Sequence, residues 1–156
     1  MLGAPADAWY VWLGLSVASL TMLGTAAGLP TAVPPDPAAA AETIDSVASS
    51  PHAGTAVYPL DAASIRLDPE GIALRTDGGT ARAALAYGPV TPVPRDDGGL
   101  REVLTGDPPS RAFASPAALT DRAAGARRAE PAWRPAPDRL VVRHVSWGDV
   151  DVTLVG

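Results

Sequence analysis

The chain has 156 residues, and its 17 acidic side chains outnumber 12 basic ones for a net charge of −5. It contains no Cys, Lys, Asn or Gln, which excludes disulfides, thiolate metal sites, a thiol nucleophile and N-glycosylation. Nucleic acid is excluded as a partner by the same balance: phosphate binding needs clustered positive charge, and the sole adjacent basic pair, Arg127-Arg128, lies between Asp121 and Glu130 as a solvated helix face.

From Ala8 to Pro35 runs a stretch of about 28 residues without a charged side chain. A bilayer core needs roughly 20 apolar residues as a helix, so the sequence predicts a transmembrane helix over 8–29 behind a short tail, 1–7. Trp9, Tyr10 and Trp12 would sit at the headgroup level, and Pro30, Pro34, Pro35 and Pro37 would end the span. The competing reading is a cleaved signal with Thr25-Ala26-Ala27 as its site. The region before Trp9 has no base and one acid, Asp7, unlike a signal's n-region. Asp36, Glu42 and Asp45 follow the span and no base occurs before Arg66, so the positive-inside rule puts the C-terminal part outside the cell membrane. Gly14, Ala18, Thr21, Thr25 and Gly28 recur at spacings that align small or weakly polar residues on one stripe. Such a stripe lets membrane helices pack closely, with another protein's helix or a second copy as partner.

Next comes a Pro-rich linker with a short helix, 30–54. Asp36-Pro37 reads as an N-cap and N1 proline opening a helix to about Ser50, with Ala40, Ala41, Ile44, Val47 and Ala48 as its apolar stripe. Residues 55–156 make one small α+β domain of antiparallel hairpins with one or two short helices. Strands over Ser64–Leu67 and Ile72–Arg75 flank the turn Asp68-Pro69-Glu70-Gly71. Asp77-Gly78-Gly79 leads into a third strand over Thr80–Tyr87. Gly88–Gly99 reads as an irregular loop, and Leu100–Leu104 is too short to assign, though a brief helix or strand would place Val103 and Leu104 inward. Ser115-Pro116 opens a helix to about Arg128. Arg139–Val155 reads as a hairpin with Trp147-Gly148 as its loop. That register sets Val145 opposite Val150, Arg143 opposite Val152 and Val141 opposite Leu154 on a face closing the core, with His144 opposite Asp151 on the solvent face.

Chemistry-bearing patterns are sparse. His52 and His144 are the only histidines, and a metal site would need both to converge with distant carboxylates. Asp149-Val150-Asp151 has DxD spacing but reads as an acidic strand face. Ser146 beside His144 and Asp149 invites a triad, yet three neighbours on one hairpin do not give the required geometry. Asp96-Asp97-Gly98-Gly99 lacks the alternating acids of a calcium loop, and Gly-rich phosphate loops are missing. No enzymatic activity, cofactor or metal is implied.

The strings Met1-Leu-Gly-Ala-Pro-Ala-Asp-Ala-Trp-Tyr-Val-Trp-Leu-Gly-Leu15, Leu29-Pro30-Thr31, Ala86-Tyr87-Gly88-Pro89-Val90-Thr91-Pro92 and Val145-Ser146-Trp147-Gly148-Asp149-Val150-Asp151-Val152-Thr153-Leu154 resemble a haloarchaeal family of uncharacterised single-span membrane proteins. The Lys-free, Ala-, Pro- and Arg-rich composition agrees with a GC-rich genome, and a pI near 4.8 suits high salt, where a hydrated carboxylate surface maintains solubility. The resemblance implies lineage, location and a loose association with type IV pilus or secretion clusters. A processed pilin is not implied, because Asp7-Ala8 offers no base before the apolar run. The resulting expectation is a membrane-anchored, non-catalytic structural or assembly component of a haloarchaeal cell-surface machine. The alternative is an anchored extracytoplasmic binding or sensory module, which would need an apolar pocket with convergent polar groups.

Overall fold

A computed structural model describes residues 35–156, within a compact unit spanning Pro34–Gly156. The first helix, α1 (Pro37–Ala48), starts where the sequence places it: Asp36 Oδ1 accepts from the N–H groups of Ala38 and Ala39, and Pro37 occupies the first turn. Its stripe of Ala40, Ala41, Ile44 and Val47 is buried. A 12-residue helix has little stability alone, and this one is held as a wall of the main core.

Two four-stranded sheets follow. Sheet A has the order β1 (Gly54–Pro59), β7 (Arg139–Trp147), β8 (Val150–Val155), β5 (Thr91–Pro92), antiparallel except for the β5–β8 pair. Sheet B is wholly antiparallel, in the order β4 (Gly79–Ala84), β3 (Gly71–Thr76), β2 (Ser64–Asp68), β6 (Arg134–Pro135). The three-strand meander and both of its turns fall where expected, except that the third strand ends at Ala84 rather than running on to Tyr87. β1, β5 and β6 carry no alternating apolar pattern of their own, and pairing to a neighbour creates them.

Three further helices lie on the other side of sheet A: α2 (Gly98–Thr105), α3 (Pro109–Ala112) and α4 (Pro116–Arg128). α4 begins at the expected Ser115 cap, whose Oγ accepts from Ala118 N–H at 3.2 Å. α2 settles the choice between a brief helix and a strand over Leu100–Leu104 in favour of a helix, and it starts two residues earlier than expected because Gly98 and Gly99 read as a turn. Asp97 caps it, and Leu100, Val103 and Leu104, at helical spacing, are buried; tertiary burial overrides the poor propensity of the glycines.

Sheet A is covered on both faces, as the sequence reading does not anticipate. Leu140, Val142 and Val155 join α1 and the inner face of sheet B, including Ile65, Leu67, Ile72 and Leu74, in one core. On the opposite face Val145, Val152 and Leu154 join Leu100, Val103, Leu104 and Leu119 in a second.

The hairpin register is also displaced. Trp147 pairs with Val150, Val145 with Val152 and His144 with Thr153, so the loop is Gly148-Asp149. The first loop residue has φ +64°, which glycine adopts freely and tryptophan would not. A two-residue shift preserves which side chains share a face, so Val145, Val150, Val152 and Leu154 still line one core. His144, expected on the solvent face, is buried.

The expected fold class requires one larger correction. Among the described residues no helix is long and apolar enough to cross a membrane. The longest of these, α4, has 13 residues including Asp121, Arg122, Arg127 and Arg128, against the roughly 20 apolar residues a span requires. The expected single-pass, membrane-anchored class is corrected accordingly: the described residues form an α+β domain of largely antiparallel sheets and short helices with no membrane-crossing helix, and they give no support to the cell-membrane location or the extracytoplasmic placement. The segment 8–29 and its stripe of Gly14, Ala18, Thr21, Thr25 and Gly28 lie outside the described residues.

Candidate functional site

The motifs singled out in sequence resolve into structural roles. Asp97 is buried: Oδ1 accepts from Leu100 N–H at 3.1 Å as the cap of α2, and Oδ2 accepts from Arg122 Nε of α4 at 2.6 Å. It therefore ties two helices together. Of the Arg127-Arg128 pair, Arg128 is exposed while Arg127 Nη1 donates to Thr91 Oγ1 at 3.1 Å, fastening α4 to β5. Asp149 occupies the hairpin loop rather than sharing a strand face with Asp151.

Ser146, Asp151 and His144 do meet, but in the wrong order for nucleophilic chemistry. Ser146 Oγ donates to Asp151 Oδ1 at 2.5 Å. The imidazole Nδ1 is 3.0 Å from Thr153 Oγ1, and Nε2 is 3.9 Å from Asp151 Oδ1. A serine nucleophile needs the imidazole to take its proton, and here a carboxylate holds it. His52 is exposed near the start of β1 and His144 is buried in β7. Among the described residues no three His, Asp or Glu side chains converge as metal ligands.

A different constellation gathers where the two sheets end. β5 is the last strand of sheet A and β6 the last of sheet B. Immediately after β5, Arg95 Nη2 donates to Pro135 O of the β6 segment at 2.7 Å; from β6, Arg134 Nη1 donates back to Val93 O at 3.0 Å. These reciprocal bonds clasp one sheet edge to the other. Trp133 secures the same segment from the outer face of sheet B, its ring lying 4.2 Å from the Arg75 guanidinium carbon and 5.5 Å from that of Arg66, within cation–π range. Arg101 of α2 joins through Nη1, which donates to Arg95 O at 3.0 Å.

Three guanidiniums thus converge, each bonded to a backbone carbonyl. The ion pairs among the described residues are Arg111–Asp107, Arg122–Asp97 and His144–Asp151, so none of the three cluster arginines is matched by a carboxylate. The electrostatic consequence falls on Arg134, which is half-buried: desolvation first, then the charges of Arg95 and Arg101, hold its pKa below the ordinary arginine value. Each guanidinium has five N–H donors in a planar fork, and these contacts leave most of them available.

Two apolar hollows adjoin the cluster. The larger, about 280 Å³, is walled by Leu67, Pro92, Val93, Ala126, Pro131 and neighbours, with Glu130 its one carboxylate. The smaller, about 200 Å³, is walled by Leu104, Pro137, Val141 and others. Val93, Pro94, Arg95 and Arg134 line both. Sequence reasoning misses this site because Arg95, Arg101 and Arg134 lie in a loop, a helix and a strand with no local motif. Their one signal is Pro94-Arg95 and Arg134-Pro135, arginines placed in Pro-rich segments of an acidic chain.

Fold and cleft together define a two-sheet α+β domain with an arginine-rimmed apolar surface cleft. The chain belongs to a family of unknown function, DUF7283, which it matches over residues 3–145. No curated protein and no solved structure matches it.

Proposed function

We propose that this domain is a non-catalytic binding module that receives an anionic group of its partner at Arg95, Arg101 and Arg134. The observation that carries the reading is the convergence of three guanidiniums without a carboxylate partner, beside apolar hollows, in a chain of net charge −5. An arriving carboxylate or phosphate gains charge-assisted, bidentate hydrogen bonds and relieves the repulsion among three like charges. The apolar walls supply the contact area that a pocket of convergent polar groups requires. Haloarchaeal origin is supported by the Lys-free acidic composition. A role in pilus- or secretion-related assembly rests on the family resemblance alone, and an anion receptor suits it as a docking module.

The test is a titration of the ¹⁵N-labelled full chain with acetate, citrate and inorganic phosphate, following the arginine Nε–Hε resonances. Saturable shifts at Arg95, Arg101 and Arg134, lost in Arg134→Met, are expected. Shifts that grow linearly with anion and are equal for exposed Arg128 refute the reading.

A further inference from the structure

We infer that the occupant of this cleft is an extended peptide segment of a partner protein, in which one Asp or Glu is flanked on both sides by apolar side chains. The inference rests on the anion-binding reading above and adds the shape of the ligand.

The two hollows lie against the same arginine pair, since Arg95 and Arg134 line both. An inorganic anion would engage the guanidiniums and leave both hollows wet. The hollows, about 280 and 200 Å³, stand at or below the small end of small-molecule pockets, about 300–1,000 Å³. A side chain fits each, with the charge held between. In an extended peptide alternate side chains point the same way, so an acidic residue with apolar residues two places before and after presents all three to one surface.

The backbone at the rim explains why recognition runs through side chains. β5 and β6 are the free edges of their sheets, where an incoming strand could ordinarily add. Pro92, Pro94, Pro135 and Pro137 in and beside these edges have no N–H to offer, and the carbonyls of Val93 and Pro135 already accept from Arg134 and Arg95. Strand addition is therefore blocked at this edge, while guanidinium donors and apolar walls remain exposed. Charge complementarity selects an acidic partner segment.

Fluorescence anisotropy on the full chain tests this with labelled Leu-Ala-Asp-Ala-Leu, Ala-Ala-Asp-Ala-Ala and Leu-Ala-Asn-Ala-Leu peptides, their ends blocked. The first should bind about tenfold or more tighter than either control, because each control removes one of the two recognised features. Arg101→Gln, which leaves the Arg95–Arg134 clasp in place, should weaken the first peptide. Ala126→Phe, filling the larger hollow, should reduce it to the level of the Ala-flanked control while acetate still shifts the arginine resonances. Equal binding of the Leu- and Ala-flanked acidic peptides overturns the inference and leaves the anion-binding reading standing. Equal binding of the Asp and Asn peptides overturns it as well, and absence of any acetate shift in the wild-type chain removes the anion-binding reading beneath it.

Discussion

Replacing Arg122 by Met tests how the second core is held together. The Arg122 Nε–Asp97 Oδ2 bond is 2.6 Å, with the Asp97 side chain 6% exposed and that of Arg122 59% exposed. A fully exposed pair contributes about 0–1 kcal/mol, whereas removing one partner of a fully buried pair costs about 3–5 kcal/mol. Here the carboxylate is buried and the guanidinium largely solvated, so screening discounts the upper figure and Arg122→Met should cost about 1–2 kcal/mol. Met keeps the apolar stem, which isolates the charge from packing. Asp97→Asn loses the ion pair but retains an oxygen able to cap α2. Asp97→Ala loses both, and should be worse than Asp97→Asn by about 1 kcal/mol, the usual value of an N-cap. Urea unfolding followed by tryptophan fluorescence, at fixed salt, gives each value. The double variant Asp97→Asn/Arg122→Met closes a cycle whose coupling should be about 1 kcal/mol or more. A coupling below about 0.3 kcal/mol, within the usual additivity error, together with equal stabilities for Asp97→Asn and Asp97→Ala, would refute the assignment of Asp97 as the tie between α2 and α4.

Four further outcomes follow from the packing. Ile44→Ala empties a fully buried site on α1 and should cost about 2–5 kcal/mol in the same unfolding assay; a loss below 1 kcal/mol would show that α1 is not integral to the core. Gly148→Ala forces a side chain into φ +64° and should destabilise by about 1–3 kcal/mol, with no loss expected had Trp147-Gly148 been the loop in a conformation open to any residue. Asp45 accepts from the N–H groups of Ala86 and Tyr87 at 2.9–3.0 Å, so Asp45→Ala should speed hydrogen exchange at those two amides and leave Val142 protected. Raising salt from 0.1 to 1 M shortens the Debye length from about 10 to 3 Å and should stabilise the wild type by relieving the Arg95–Arg101–Arg134 repulsion; Arg101→Gln should gain less from the same change, and an identical gain in both would show that the three charges do not interact.

Local chemistry determined what was legible in this chain. Asp36-Pro37 and Ser115-Pro116 fixed two helix starts, because a side-chain acceptor and a preset φ act over three or four residues. Asp68-Pro69-Glu70-Gly71 and Asp77-Gly78-Gly79 likewise placed the meander, and the apolar alternation of Arg139–Val155 located the last hairpin. Tertiary structure decided the rest. β5 and β6 are two residues each and exist only because β8 and β2 supply partners. Leu140, Val142 and Val155 are core residues because α1 and sheet B cover a face that the hairpin's own sequence does not mark. Asp97 reads locally as an acidic turn, and only the approach of α4 makes it an ion-paired cap. Arg95, Arg101 and Arg134 are ordinary basic residues in sequence, spread over an acidic chain. Their meeting depends on two sheet edges being clasped through backbone carbonyls, a long-range arrangement that composition and periodicity do not encode.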